Sequence, residues 1–162
     1  MKGLLVIALA LLPAVSLWAK TELAETTMDA LGSFEYSPEA PDGENMVVKD
    51  NKKYLKSILP EEVFELNKKS ISITGYMLPL DSQGHMVREF LLVPDTQACC
   101  FGIMPGPNQF IYVQMSGQGA LVMDNIPVKV TGRLTIAETW DQGFFSHLYH
   151  IRGQRVEIGK FQ

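Results

Sequence analysis

Cys99 and Cys100 are the residues of this chain best able to do chemistry, and they are its two cysteines. Adjacent alpha carbons lie about 3.8 Å apart across a trans peptide, whereas ordinary disulfides span about 4.4–6.8 Å. A bond between these two is therefore strained and easily reduced. Three states stay open: a vicinal disulfide acting as a redox switch, a pair of thiolates on a soft metal such as zinc or copper, and two free thiols of which at least one is buried. A metal would need further donors, and the candidates are His85, His147 and His150. His147 and His150 are three apart, a spacing that puts them on opposite faces of a strand unless a bulge intervenes. His85 falls in an expected hairpin turn, where solvation is the ordinary state.

The cysteines open a loop that runs from Ala98 to Gln109 and contains Pro105 and Pro107. Two prolines stiffen it ahead of Asn108 and Gln109, whose amides are then held where they satisfy loop backbone groups or a ligand. Cys99, Cys100, Pro105, Pro107, Asn108 and Gln109 form the candidate ligand-binding loop; no cofactor is firmly expected, and zinc on Cys99 and Cys100, with His147 or His150, is the metal option. Enzyme signatures are missing: there is no Gly-rich phosphate loop, Gly-x-Ser-x-Gly elbow, His-Glu-x-x-His helix or Cys-x-x-Cys motif. This points away from an enzyme and to no catalytic residue. Asp81, Glu89 and Asp95 flank one predicted strand and receive no role, and the scattered Met77, Met86, Met104, Met115 and Met123 read as core filling.

The loop must be held by strands. From Ile71 to Leu78 the pattern has period two, a turn of Asp81 to Gly84 follows, and Val87 to Val93 makes the second arm of a hairpin. Phe110 to Met115 is a third strand and Val128 to Ala137 a fourth, bent at Gly132. His147 to Ile158 is a final stretch turned at Arg152 and Gly153, after an excursion around Thr139 to Phe145. Ahead of them, Leu55, Ile58 and Leu59 fall at helical spacing, and Pro60 with Glu61 and Glu62 suits the start of a second short helix. The expected fold is mainly β, a small five-stranded antiparallel barrel of the oligonucleotide/oligosaccharide-binding (OB) type, preceded by one or two short helices. A β-sandwich is the alternative.

The ends set the compartment. Lys2, an apolar run from Leu4 to Leu12, Pro13 and small residues towards Ala19 read as a signal peptide over residues 1–19. The apolar run is shorter than the roughly 20 residues a spanning helix needs, so no transmembrane segment is expected after cleavage. Residues 20–50 are acidic, broken by Pro38, Pro41, Gly32 and Gly43, and read as a flexible arm. Residues 51–162 read as one domain. Without residues 1–19 the 14 basic residues become 13 against 18 acidic ones, a formal charge of −5. That balance argues against nucleic acid, whose binding rests on Lys and Arg.

Several motifs together resemble a known family. Thr74-Gly75-Tyr76-Met77-Leu78-Pro79-Leu80, Glu89-Phe90-Leu91-Leu92-Val93-Pro94, Ala98-Cys99, Pro105-Gly106-Pro107-Asn108-Gln109 and Val130-Thr131-Gly132 resemble the bacterial domain of unknown function 3299. The resemblance implies an exported or lipoprotein-like protein of uncharacterised activity. It also implies, by association, an accessory role beside an ABC transporter and a periplasmic zinc-binding protein. Members often carry Cys-x-His before a run of prolines. Here Phe101 takes the place of that histidine, Gly106 interrupts the prolines, and Cys100 is an extra thiol.

The functional expectation is a periplasmic or secreted, non-enzymatic binding or accessory protein. Its partner would be an envelope ABC transporter or a periplasmic metal-binding protein, and zinc handling its context. The alternatives are a thiol-dependent redox protein or sensor using Cys99 and Cys100, and a structural envelope protein.

Overall fold

Period-two burial organises the chain around one sheet. The computed structural model describes residues 23–38, 47–49, 52–97, 101–103 and 105–161. In chain order the elements are β1 (Leu23–Glu25), α1 (Met28–Gly32), β2 (Val47–Lys49), α2 (Lys52–Ile58) and α3 (Glu61–Phe64). They continue with β3 (Ser70–Gln83), β4 (Met86–Val93), β5 (Ile111–Met115), β6 (Ala120–Leu121), β7 (Pro127–Asp141) and β8 (Phe144–Ile158). Ile71, Ile73 and Met77 of β3, Phe90 and Leu92 of β4, Ile111 and Val113 of β5, and Val128, Val130 and Leu134 of β7 all turn inward and are buried. Fully burying such side chains contributes about 1.5–3 kcal/mol each.

The protein is mainly β with short helices, as the hydrophobic pattern predicts, but the sheet differs from the expected one. All eight strands belong to a single mixed sheet, where five antiparallel strands were expected. Antiparallel pairs join β3 to β4, β4 to β5, β7 to β8 and β3 to β7, whereas β5 pairs β8 in parallel and β1 pairs β3 in parallel. The parallel β5–β8 pair arises because the β7–β8 hairpin sets its second arm beside β5, and β7 sits next to β3. Pattern within a strand carries no information about such partners.

Two expected breaks are absent. Thr139 to Phe145 is no excursion: β7 and β8 meet through Gln142 and Gly143, both at positive φ (49° and 81°), the requirement of a two-residue type I′ hairpin turn. Nor does the chain turn at Arg152 and Gly153, since β8 runs through them. There Gly153 faces Gly132 across a register shift between Thr131 and Gly132. A Cβ on Gly132 would stand 2.4 Å from the Arg152 carbonyl oxygen, so the two strands approach more closely than side chains permit.

The acidic stretch expected to be an arm is packed wherever it is described. β1 pairs β3, β2 pairs β7, and α1 buries Leu31 and Met28. Thr27 caps α1, its Oγ1 accepting from the Ala30 N–H at 3.1 Å. The Tyr149 hydroxyl, inside the core, donates to the Leu31 carbonyl at 2.8 Å. Five apolar or aromatic residues, Met28, Leu31, Phe34, Tyr36 and Ala24, thus cover the core without any periodic order to announce it. The helices behave as predicted: Leu55 of α2 and Val63 of α3 are buried, and Pro60 stands at the start of α3. Residues 1–19, the stretch expected to be a signal peptide, lie outside the described residues.

Candidate functional site

The site grows from a double irregularity in the β7–β8 hairpin. Ile136 pairs Tyr149 and Thr139 pairs His147, so Ala137 and Glu138 on β7 face Leu148 alone; Trp140 then pairs Phe145, leaving Ser146 extra on β8. Such bulges break alternation. Leu148 and Tyr149 are consecutive yet both lie in the core, and the two histidines that flank them come out on one side. His147 and His150, expected on opposite faces, have ring centroids 5.7 Å apart. Both also meet Tyr112 of β5, at 4.7 Å for His147, in a stack 17° from parallel, and at 5.4 Å for His150.

Burial dominates the electrostatics of this ring cluster. It pushes His147 from an ordinary 6.5 down to about 4, with the neighbouring His150 adding to the effect. His150 is lowered by burial and by Arg152, against the opposing pull of Glu89. Its Nε2 is buried without a hydrogen-bond partner, while His147 Nδ1 lies 3.0 Å from Ser146 Oγ. Glu89, which the sequence offered no reason to choose, accepts from Gln114 Nε2 at 3.1 Å and from the Tyr112 hydroxyl, and these hydrogen bonds hold its carboxyl below the usual range. Burial and Glu89 together push the Tyr112 phenol up to about 12.

Beside the rings a cleft of about 480 Å³ opens. Pro105 and Pro107 of the predicted loop form one part of its wall, Phe110, Tyr112, Phe145 and Ser146 another, with Leu80 and Leu91 completing it. Tyr112 thus belongs both to the ring cluster and to the cleft. A second, wider groove of about 900 Å³ beside β1 includes Glu25 and Lys129, which already pair with each other at 2.7 Å.

The remaining predicted residues separate. Asn108 is buried and donates through Nδ2 to the Phe34 carbonyl at 2.7 Å, tying the loop to the segment after α1. Gln109 is exposed and turns back on its own loop, its Oε1 accepting from the Gly106 N–H at 2.9 Å. These amides serve loop backbone and chain packing. Cys99, Cys100 and Met104 lie outside the described residues. Among the described residues no group of three or more His, Cys, Asp and Glu side chains is placed to hold a metal ion. Of the predicted donors that are described, His147 and His150 come together, and His85 is exposed in the β3–β4 turn.

Glu138, the extra residue of the first bulge, is fully buried. Its Oε1 accepts from the Tyr36 hydroxyl at 2.6 Å and lies 3.4 Å from that of Tyr54, so one carboxylate ties the N-terminal segment and α2 to β7. Burial and this bond raise the Tyr36 phenol well above its usual value. Sequence pattern missed Glu138, Glu89, Tyr112 and Phe145. An aromatic or acidic residue inside a strand announces burial or solvation, and only the bulge registers show which.

These features define a mainly β protein with one mixed sheet and an apolar cleft walled by aromatic rings, one of which, Tyr112, also packs on two histidines. Residues 18–158 match the family described as protein of unknown function (DUF3299), and the chain belongs to that family. The crystal structure of a DUF3299 family protein from Pseudomonas aeruginosa PAO1 is similar, with 25% sequence identity and a TM-score of 0.58, covering 87% of this chain and 99% of that one. Comparison with curated proteins finds no match.

Proposed function

We propose that this chain is an exported, non-enzymatic binding or accessory protein of the cell envelope that seats a partner or ligand in the cleft between Pro105, Pro107 and the Tyr112–Phe145 wall. The observation that carries the reading is the cleft itself: concave, largely apolar, and stiffened on one side by two prolines. The low basicity of His147 supports binding over catalysis, because an imidazole pushed down to about 4 is a poor proton acceptor near neutrality. The cycle of pairings β3–β4–β5–β8–β7–β3 supports reading the sheet as a small barrel of OB type, with β1, β2 and β6 added at its margins. On that reading the cleft draws on the central strands and loops that OB barrels use for ligands. The compartment follows from the signal-like residues 1–19, and the partner class implied by the family resemblance is an envelope ABC transporter or a periplasmic metal-binding protein.

A photoreactive benzoylphenylalanine placed at Leu80, on the cleft wall, tests this in living cells. The expected result is a discrete crosslinked species from the periplasmic fraction that disappears when Phe145→Glu is added. The same probe at the exposed Leu121 is the control. Equal crosslinking from both positions, or none from Leu80, overturns the reading.

A further inference from the structure

The chain is acidic, yet three of its four arginines, Arg133, Arg152 and Arg155, sit together on β7 and β8. Arg133 and Arg152 are direct cross-strand partners, and Arg155 faces Thr131 two rungs along, beyond the Gly132–Gly153 pair. Arg133 stands between inward Gly132 and Leu134, and Arg152 between inward Ile151 and Gly153, so both point away from the core and are exposed. Like charges placed directly opposite one another destabilise a strand pair. No carboxylate relieves this one: among the described residues neither arginine takes part in an ion pair. Glu89 lies on the same rung, one strand beyond Gln114, and is already engaged by Gln114 and Tyr112.

We propose that Arg133 and Arg152 form a binding site for a phosphate group on the outer face of the β7–β8 hairpin, with Arg155 and the Thr135 hydroxyl at its margins. A carboxylate's two oxygens are satisfied by one guanidinium fork. Two facing forks match a group with three or more oxygens, and the repulsion between them becomes attraction once a dianion lies between. Thr135 pairs His150 two rungs along, with the Leu134–Ile151 pair between, so the site borders the ring cluster. It does not depend on the cleft, and failure of one leaves the other standing. The phosphate could belong to a soluble phosphorylated solute or to a lipid headgroup.

Two arms of one experiment separate these sources, using the purified full chain at constant low ionic strength. Inorganic phosphate is titrated while the backbone and guanidinium N–H resonances are followed by NMR, and the chain is separately co-sedimented with phosphatidylcholine vesicles with or without phosphatidic acid, whose headgroup is a phosphomonoester. Saturable shifts at Arg133 and Arg152, weakened at least tenfold by R133Q or R152Q and unchanged by R88Q, support the site. Sedimentation only with the vesicles that contain phosphatidic acid, lost in the same two variants, supports it with a lipid headgroup as the source. R152K keeps the charge and loses the fork, so it should weaken binding several-fold with folding intact. R133Q and R152Q should melt no lower than the parent, because each removes one of two facing like charges. Absence of binding in both arms, or equal weakening by R88Q, overturns the proposal.

Discussion

The phenol ring of Tyr112 and the imidazole of His147 lie in a stack, 4.7 Å between centroids and 17° between planes, although one belongs to β5 and the other to the far end of the β8 hairpin arm. The contact exists because a bulge turns Leu148 and Tyr149 inward together. It couples the wall of the cleft to the protonation of a buried histidine.

The first consequence is acid sensitivity. His147 titrates near 4 when folded and near 6.5 when unfolded, so between those values the unfolded chain binds the extra proton and stability falls as pH drops. His150 and Glu89, both lowered in the fold, act in the same direction. Urea unfolding at pH 7 and pH 4.5 should differ by about 2–3 kcal/mol on account of His147. H147Q should flatten most of that difference, and a pH profile unchanged by the substitution would remove the assignment.

Removing only the Tyr112 hydroxyl should leave the stack and strip one hydrogen bond from Glu89. Y112F is expected to cost about 0.5–1.5 kcal/mol in denaturant unfolding, with the Glu89 carboxyl moving up towards its ordinary range in an NMR titration. Y112A should also lose the ring contacts, a further cost of about 1 kcal/mol, and let the His147 titration rise towards 6.5.

Asn108 binds the predicted loop to a distant part of the chain. N108A leaves the Phe34 carbonyl without its donor and should destabilise by about 1–3 kcal/mol. Hydrogen exchange should speed up over 28–36 more than over β4. Uniform acceleration across the sheet would show that the bond holds nothing locally.

Gly132 is a test of strand approach. Its missing side chain lets β7 lie against the Arg152 backbone, which no rotamer change can move aside. G132A should cost at least about 1–3 kcal/mol, the usual range for overpacking, measured by thermal and denaturant unfolding. A neutral result would mean that the bulge slides to another register.

The β3–β4 hairpin and the Pro60 helix start were legible because each is encoded locally, by Ile71 and Ile73 at alternate positions and by a ring that fixes φ. The parallel β5–β8 pair was not, since it depends on where the β7–β8 hairpin lands. β1 and β2 are three residues long and owe their existence to partners on β3 and β7. The site shows the same division. Pro105 and Pro107 were visible as a stiff loop, and they do line the cleft. The meeting of His147 with His150 was hidden because it is produced by an extra residue on the opposite strand, and Glu89 looked like any solvated acid near a strand end.

The hydroxyl of Tyr149 and the carbonyl of Leu31 also bear on how this protein should be handled. A chain trimmed to 51–162, the boundary that composition alone suggests, would lose Leu31 and Met28 from the core and leave a fully buried tyrosine with its hydroxyl unpaired. The smallest piece expected to fold cleanly therefore begins before β1. Tags and fusions placed immediately upstream of Leu23 should be joined through a linker that leaves its pairing with Ser70 undisturbed.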